Sequence, residues 1–211
     1  MNETPVVHAD SKLTEGLLRI FALFVYPIGL MPIAIAWWRD TSRWTLLLLL
    51  LIEGFGLLMV LLARRATRRD LSPVAVIATA YVAIYIFLFS AAGTTRLVPE
   101  VTGVTLQFTG LLWQFAAKVA LGRSFGLLPA SRGLVVSGPY RLVRHPIYLG
   151  YLISHIGFLL ANFSWRNFAV LAVLYVAQVV RLRREESHLS SSDEYRRYCQ
   201  RVRWRLLPFV F

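Results

Sequence analysis

The sequence predicts an all-α integral membrane protein: four transmembrane helices, a short transmembrane helical hairpin, and a cytoplasmic C-terminal helical tail. Three observations predict it. The 211 residues are 57% hydrophobic and 16% charged, whereas soluble domains run at roughly 45–50% and about 25%. The apolar residues gather in runs close to the about 20 residues that a helix needs to cross a bilayer. The charges, net +12, fall between those runs, where they read as loop and lipid-headgroup contacts. Disorder requires low hydrophobicity with high charge and is excluded. The basic balance comes with no nucleic-acid recognition motif, so no nucleic-acid partner is expected. Cys199 is the single cysteine, which leaves no disulfide framework and no cysteine-based zinc site. The histidines lack metal-ligand spacing, so no metal is expected.

The first run is Leu17–Trp37, with Arg19 near its start. It is too long for the apolar region of a signal peptide, and its leader (Glu3, Asp10, Lys12, Glu15) is acidic rather than positive, so a retained span is expected. Trp44–Ala63 follows, interrupted by Glu53, then the uncharged Pro73–Gly93, then Val101–Ala120. Two shorter runs, Ile147–Ala161 and Phe168–Val180, flank Asn162–Asn167. Helices of about 15 residues rise only about 22 Å, so this pair reads as a tilted or partly submerged hairpin. Trp37, Trp38, Trp44 and Trp165 suit the aromatic belts at membrane surfaces.

Loop charge sets the orientation. Arg64, Arg65, Arg68 and Arg69 stand against Asp70 alone, and Lys118–Arg144 adds five bases without an acid. The alternate loops carry Arg39 and Arg43 with Asp40, and Arg96 with Glu100. The positive-inside rule then places the N-terminus, both basic loops and the C-terminal tail in the cytoplasm. An even number of crossings follows, so Ile147–Val180 goes out and returns. The segment before Ile147 and the segment after Val180 are therefore expected to meet. No repeat or linker divides residues 1–211, which read as one domain: a transmembrane scaffold over 1–121 and a ligand-binding part over 122–211.

Two polar clusters bracket that hairpin. In the first, Gly138-Pro139 is a turn signal. Pro146, lacking an N–H, suits the first turn of the helix opening at Ile147. His145 then lies at a helix N-terminus, where the dipole favours an anionic group. Tyr140 and Tyr148 offer rings to stack and hydroxyls to bond. A surface Arg-His-Pro turn with belt tyrosines is the plain alternative. In the second cluster, Glu185 and Glu186 follow Arg181, Arg183 and Arg184. Paired carboxylates are repelled by anionic headgroups. They either pair along the helix with Arg181 or Arg183, or grip an amine, a ribose or a positive sulfur.

Together the clusters resemble a known family. GPYRLVRHPIYLGY (138–151), EESHL (185–189) and EYRRYCQRVRWRLLPF (194–209) are similar to the C-terminal half of the isoprenylcysteine carboxyl methyltransferases, whose wider relatives include membrane phospholipid methyltransferases. The resemblance covers roughly residues 122–211. It implies a membrane methyltransferase that uses S-adenosylmethionine. It implies that Arg132, Gly133, Leu134 and Val135 line the cofactor, that Tyr140, His145, Pro146, Ile147 and Tyr148 pack on it, and that Glu185 holds one of its polar groups. Arg181, one turn before that glutamate, corresponds to the arginine that faces a substrate carboxylate. The family's Arg-Val-Pro reads Arg201-Val202-Arg203 here.

The chemistry fits this composition. Methyl transfer from a sulfonium is an in-line displacement that proximity and alignment can drive. A carboxylate acceptor is already anionic. An amine acceptor must lose a proton, and His145, His188 and Glu186 are the nearby candidates to take it. A lipophilic acceptor would enter from the bilayer, and the soluble cofactor from the cytoplasm. Two other readings remain open: an NADPH-dependent reductase of the sterol reductase type, similar over Arg-His-Pro-x-Tyr-x-Gly, and a non-catalytic membrane scaffold.

Outside these clusters, Glu53 is costly in an apolar span and needs a partner or a cavity. Gln107, Gln114 and Lys118 share one helix face, expected to turn inward. His155 reads as a hydrogen-bonded packing residue. Tyr195-Arg196-Arg197-Tyr198 with Arg201, Arg203, Trp204 and Arg205 reads as an interfacial segment on membrane lipids.

Overall fold

A computed structural model describes residues 16, 20–62, 72–121 and 135–211. The basic loop Arg64–Asp70 and the bases Arg123 and Arg132 lie outside the described residues. The chain is all-helical, with α1 Tyr26–Arg39, α2 Trp44–Leu62, α3 Pro73–Ile84, α4 Glu100–Leu121, α5 Pro146–Ala161, α6 Trp165–Leu189 and α7 Asp193–Arg201. A π-helical turn, Phe21–Val25, leads into α1, and a 3-10 turn, Tyr85–Leu88, extends α3. Among the described residues two segments are long and apolar enough to cross a membrane, Trp44–Leu61 and Trp165–Ser187; Leu23–Arg39, Pro73–Leu88 and Pro146–Ala161 are shorter apolar helices.

Local signals place the boundaries. Ser72 caps α3 through its Oγ, which accepts from the Ala75 N–H at 3.4 Å, and Pro73 takes the first turn. Ser164 does the same for α6, accepting from the Asn167 N–H at 3.1 Å. Pro146 opens α5 as its position predicts. The returning helix carries the second cluster, as expected: it runs 25 residues to Leu189, because Arg181–Glu186 are good helix formers that carry it past the apolar stretch ending at Val180.

α4 and α5 pack most closely of all the helix pairs. Small residues allow it: a Cβ on Gly110 would stand 2.5 Å from the Gly150 carbonyl and 2.7 Å from the Ser154 amide. Backbones meeting this closely are a membrane-helix packing mode. The outer face of α4 carries exposed Val101, Phe108, Leu112, Phe115 and Val119, whereas Gln107, Gln114 and Lys118 are buried. A helix with its polar face inward and its apolar face outward is built for lipid rather than water. The expected inward face of α4 is therefore observed.

One end of the bundle is tied by bonds that link its loops and helix starts, Arg43, Asn162 and Glu100 foremost among them. Arg43 donates to the Ala91 carbonyl (3.0 Å), Thr94 Oγ1 (3.2 Å) and Asn162 Oδ1 (2.7 Å). Asn162 Nδ2 donates to Thr45 Oγ1 at 2.9 Å, and the Thr45 amide and hydroxyl both donate to Glu100 Oε1 at 2.8 and 2.6 Å. Thr95 and Phe163 exchange backbone bonds at 2.8 and 2.9 Å. With these loops held together, α5 and α6 leave from the same end and run to the opposite one.

Candidate active site

At that opposite end the two clusters meet, as the doubling-back of the chain requires. His145 Nε2 lies 3.2 Å from Glu186 Oε1, although 41 residues separate them. The turn that aims His145 begins at Gly138, whose φ of +57° suits a residue without a side chain. Ala120 at the end of α4 lies only 3.3 Å from where a Cβ there would stand. A 3-10 turn, Gly138–Arg141, then leads to buried Val143 and to His145, the residue before α5.

Glu186 is the hub. Arg144 Nη1 donates to its Oε1 at 2.8 Å and Arg205 Nε donates to its Oε2 at 2.7 Å, so both oxygens are engaged before any ligand arrives. Arg144 also donates to the Arg203 carbonyl at 2.8 Å and to Cys199 Sγ at 3.3 Å. Backbone bonds complete the latch: the amides of Arg144 and His145 donate to the carbonyls of Trp204 and Arg205, each at 2.9 Å. Leu206 packs on Val143 and Leu149, with Trp204, Leu207 and Phe211 alongside. The C-terminal stretch is thus fastened across the start of α5.

Glu185 differs from its neighbour. Among the described residues it makes no hydrogen bond or ion pair; its carboxylate lies within electrostatic reach of Tyr140 and Tyr148. Burial and this charge push the Tyr140 hydroxyl well above the usual phenol range, so it stays protonated at physiological pH. The Tyr140 carbonyl accepts from the Tyr198 hydroxyl at 2.7 Å, which ties α7 to the turn. Arg181, one helical turn before Glu185, acts electrostatically on Tyr148 and Tyr151 and donates to Gln178 Oε1 at 3.3 Å.

Of the residues singled out from sequence, the structure brings together Tyr140, His145, Pro146, Tyr148, Arg181, Glu185 and Glu186. Ile147 and Val135 are half-buried, the first in α5 and the second leading into the 3-10 turn. Arg132, Gly133 and Leu134, and the side chain of His188, lie outside the described residues. Arg144 and Arg205 were missed. The adjacency of Arg144 to His145 was the available signal for the first; nothing local marks Arg205. The donor set fits S-adenosylmethionine: an unpaired carboxylate suits an ammonium or ribose, and a tyrosine-flanked helix start suits an adenine ring.

Fold and site together define a helical membrane protein whose charged and aromatic residues converge at one end of its bundle. Residues 98–194 match the family model of phospholipid methyltransferase, in the group of membrane methyltransferases that the motifs resemble. The matched segment spans α4 to the start of α7 and contains the described Tyr140, His145, Arg181, Glu185 and Glu186. The segment is thus similar to a family of membrane methyltransferases that act on lipid. No curated relative matches the sequence.

Proposed function

We propose that this chain is an S-adenosylmethionine-dependent methyltransferase that spans the membrane and methylates a lipophilic acceptor, a carboxylate in preference to an amine. The contact between His145 and Glu186 carries the reading, because it turns two separated motifs into one site and leaves Glu185 available beside Tyr140 and Tyr148. S-adenosylmethionine supplies an electrophilic methyl on sulfur. Glu185 holds a polar group of the cofactor, Tyr140 and Tyr148 pack on it, and residues 132–135 with His145, Pro146 and Ile147 line it. Arg181 faces the accepting carboxylate and aligns it, which is most of what an in-line displacement asks of a protein.

Glu186 takes a different part from that of a proton acceptor. A carboxylate already bonded to Arg144, His145 and Arg205 is a weak base, so Glu186 serves as a positioning residue that holds the His145 turn and the C-terminal stretch together. Residues 1–211 form one domain with its termini and site on the cytoplasmic side, where the soluble cofactor enters. The chain crosses the bilayer four times and then through the α5–α6 hairpin.

The test uses full-length protein in detergent with labelled S-adenosylmethionine. Wild type binds it, and Glu185→Gln weakens binding about 10- to 100-fold, the size of a lost charged hydrogen bond. Base-labile label in the lipid fraction identifies a methyl ester; base-stable label identifies an amine. Stabilisation by NADPH and not by S-adenosylmethionine overturns the reading.

A further inference from the structure

Lys118 is a buried charge that the site described above does not use. It sits one turn before the end of α4, on the side of the bundle that carries His145 and Glu186, and is only 3% exposed. Among the described residues its Nζ has no hydrogen-bond partner. Instead it lies 4.3 Å from the centre of the Phe55 ring and 5.2 Å from that of Tyr151. Ring faces attract a cation but accept no strong hydrogen bond, so the ammonium keeps its donors unused.

Glu53 acts electrostatically on Lys118 but is otherwise engaged. Its Oε2 accepts from the Tyr26 hydroxyl at 2.5 Å and its Oε1 from the Tyr85 hydroxyl at 2.6 Å, with His155 Nε2 3.8 Å away. His155 Nδ1 is held by the Tyr175 hydroxyl at 2.8 Å. A buried ammonium without a bonded anion is costly, and such groups in membrane segments mark ligand paths.

The surroundings show where a ligand would arrive. Tyr151 lies one turn along α5 from Tyr148, and Arg181 acts electrostatically on both. Lys118 is therefore linked to the Arg181–Glu185 face through one tyrosine. On the lipid side, Phe55 meets Phe115 at 6.0 Å between ring centres, and Phe115 is exposed. Next to Phe55, a Cβ on Gly54 would meet nothing within 4 Å. An amphiphile sliding in from the bilayer would pass this apolar pair before meeting the ammonium.

We propose that Lys118 is a further binding residue, which engages an oxyanion of the methyl acceptor. This rests on the methyltransferase reading above. The oxyanion is either the accepting carboxylate or the phosphodiester of a lipid whose amine accepts the methyl. Its position near the end of α4 matches the depth of a headgroup rather than of an acyl chain.

Full-length protein in detergent is titrated with oleate, dioleoylphosphatidylethanolamine or dioleoylglycerol, and bound lipid is counted by native mass spectrometry. Wild type is expected to bind oleate or the phosphodiester lipid in preference to dioleoylglycerol; whichever binds tells which oxyanion is recognised. Lys118→Met should weaken that binding about 10- to 100-fold, while Lys118→Arg retains it. S-adenosylmethionine affinity is measured on the same samples and should not follow the lipid loss. Dioleoylglycerol binding as tightly as both anionic probes overturns the proposal, with no variant needed. So does unchanged oxyanion binding in Lys118→Met. Wild type that selects the oxyanion but binds no S-adenosylmethionine instead overturns the methyltransferase reading and leaves the lysine site standing.

Discussion

The two ends of the helix bundle are closed by different chemistry. At the loop end, Arg43, Thr45, Thr94, Glu100 and Asn162 spend their polar groups on one another and on backbone carbonyls. At the other end, Glu186 takes Arg144, His145 and Arg205, but Glu185 beside it takes none of the described residues. The loop end shares its bonds among neighbouring loops and helix starts; at the other end one of two adjacent carboxylates is fully engaged and its neighbour has no bond among the described residues. The lesson is that adjacent, identical side chains can divide between fastening a fold and standing free of it, according to the helix face each occupies.

Breaking the hub should have the largest effect. Glu186→Ala leaves two arginines facing each other without their carboxylate, and removal of one member of a buried ion cluster costs about 3–5 kcal/mol. We expect a marked fall in the thermal midpoint of detergent-purified protein together with loss of cofactor binding. An unchanged midpoint would show that the C-terminal stretch is held by apolar packing alone.

Next comes the polar network between the ends. Glu53→Leu removes the acceptor of the Tyr26 and Tyr85 hydroxyls, at about 1–3 kcal/mol for each buried group left unpaired. Thermal denaturation should show the loss, while affinity for S-adenosylmethionine, measured by isothermal titration, stays at the wild-type value. A parallel fall in cofactor affinity would merge this network with the site.

The loop end gives a comparable but purely structural loss. Asn162→Ala frees Arg43 and Thr45 from their shared partner and should cost about 1–3 kcal/mol. Transfer activity at a temperature well below the midpoint should be retained.

The smallest change in stability belongs to Glu185→Gln, which removes no bond to a described residue. Its midpoint without ligand should equal that of wild type, and the stabilisation that saturating S-adenosylmethionine adds should shrink. If both carboxylate variants lower the ligand-free midpoint equally, the division between Glu185 and Glu186 is wrong.

Much of this was legible in residue order. Hydropathy located the apolar runs, Pro146 and Ser72 marked helix starts, and the seven- and four-residue spacing of Gln107, Gln114 and Lys118 put them on one inward face. These are local properties, set by helix period and capping. Other features were not legible. The first apolar run, expected over Leu17–Trp37, is described as a π-helical turn followed by α1 from Tyr26.

Sequence by itself determined that this is a helical membrane protein, and it singled out an Arg-His-Pro turn and an acidic pair as the candidate clusters. Only the tertiary structure decided which glutamate is consumed. Glu185 and Glu186 are indistinguishable as letters, yet consecutive helix positions point about 100° apart. One therefore meets Arg144, His145 and Arg205, and the other lies within electrostatic reach of Tyr140 and Tyr148. Arg205 and Lys118 make the same point: whether a base is paired depends on neighbours brought close by packing, and no local pattern encodes that.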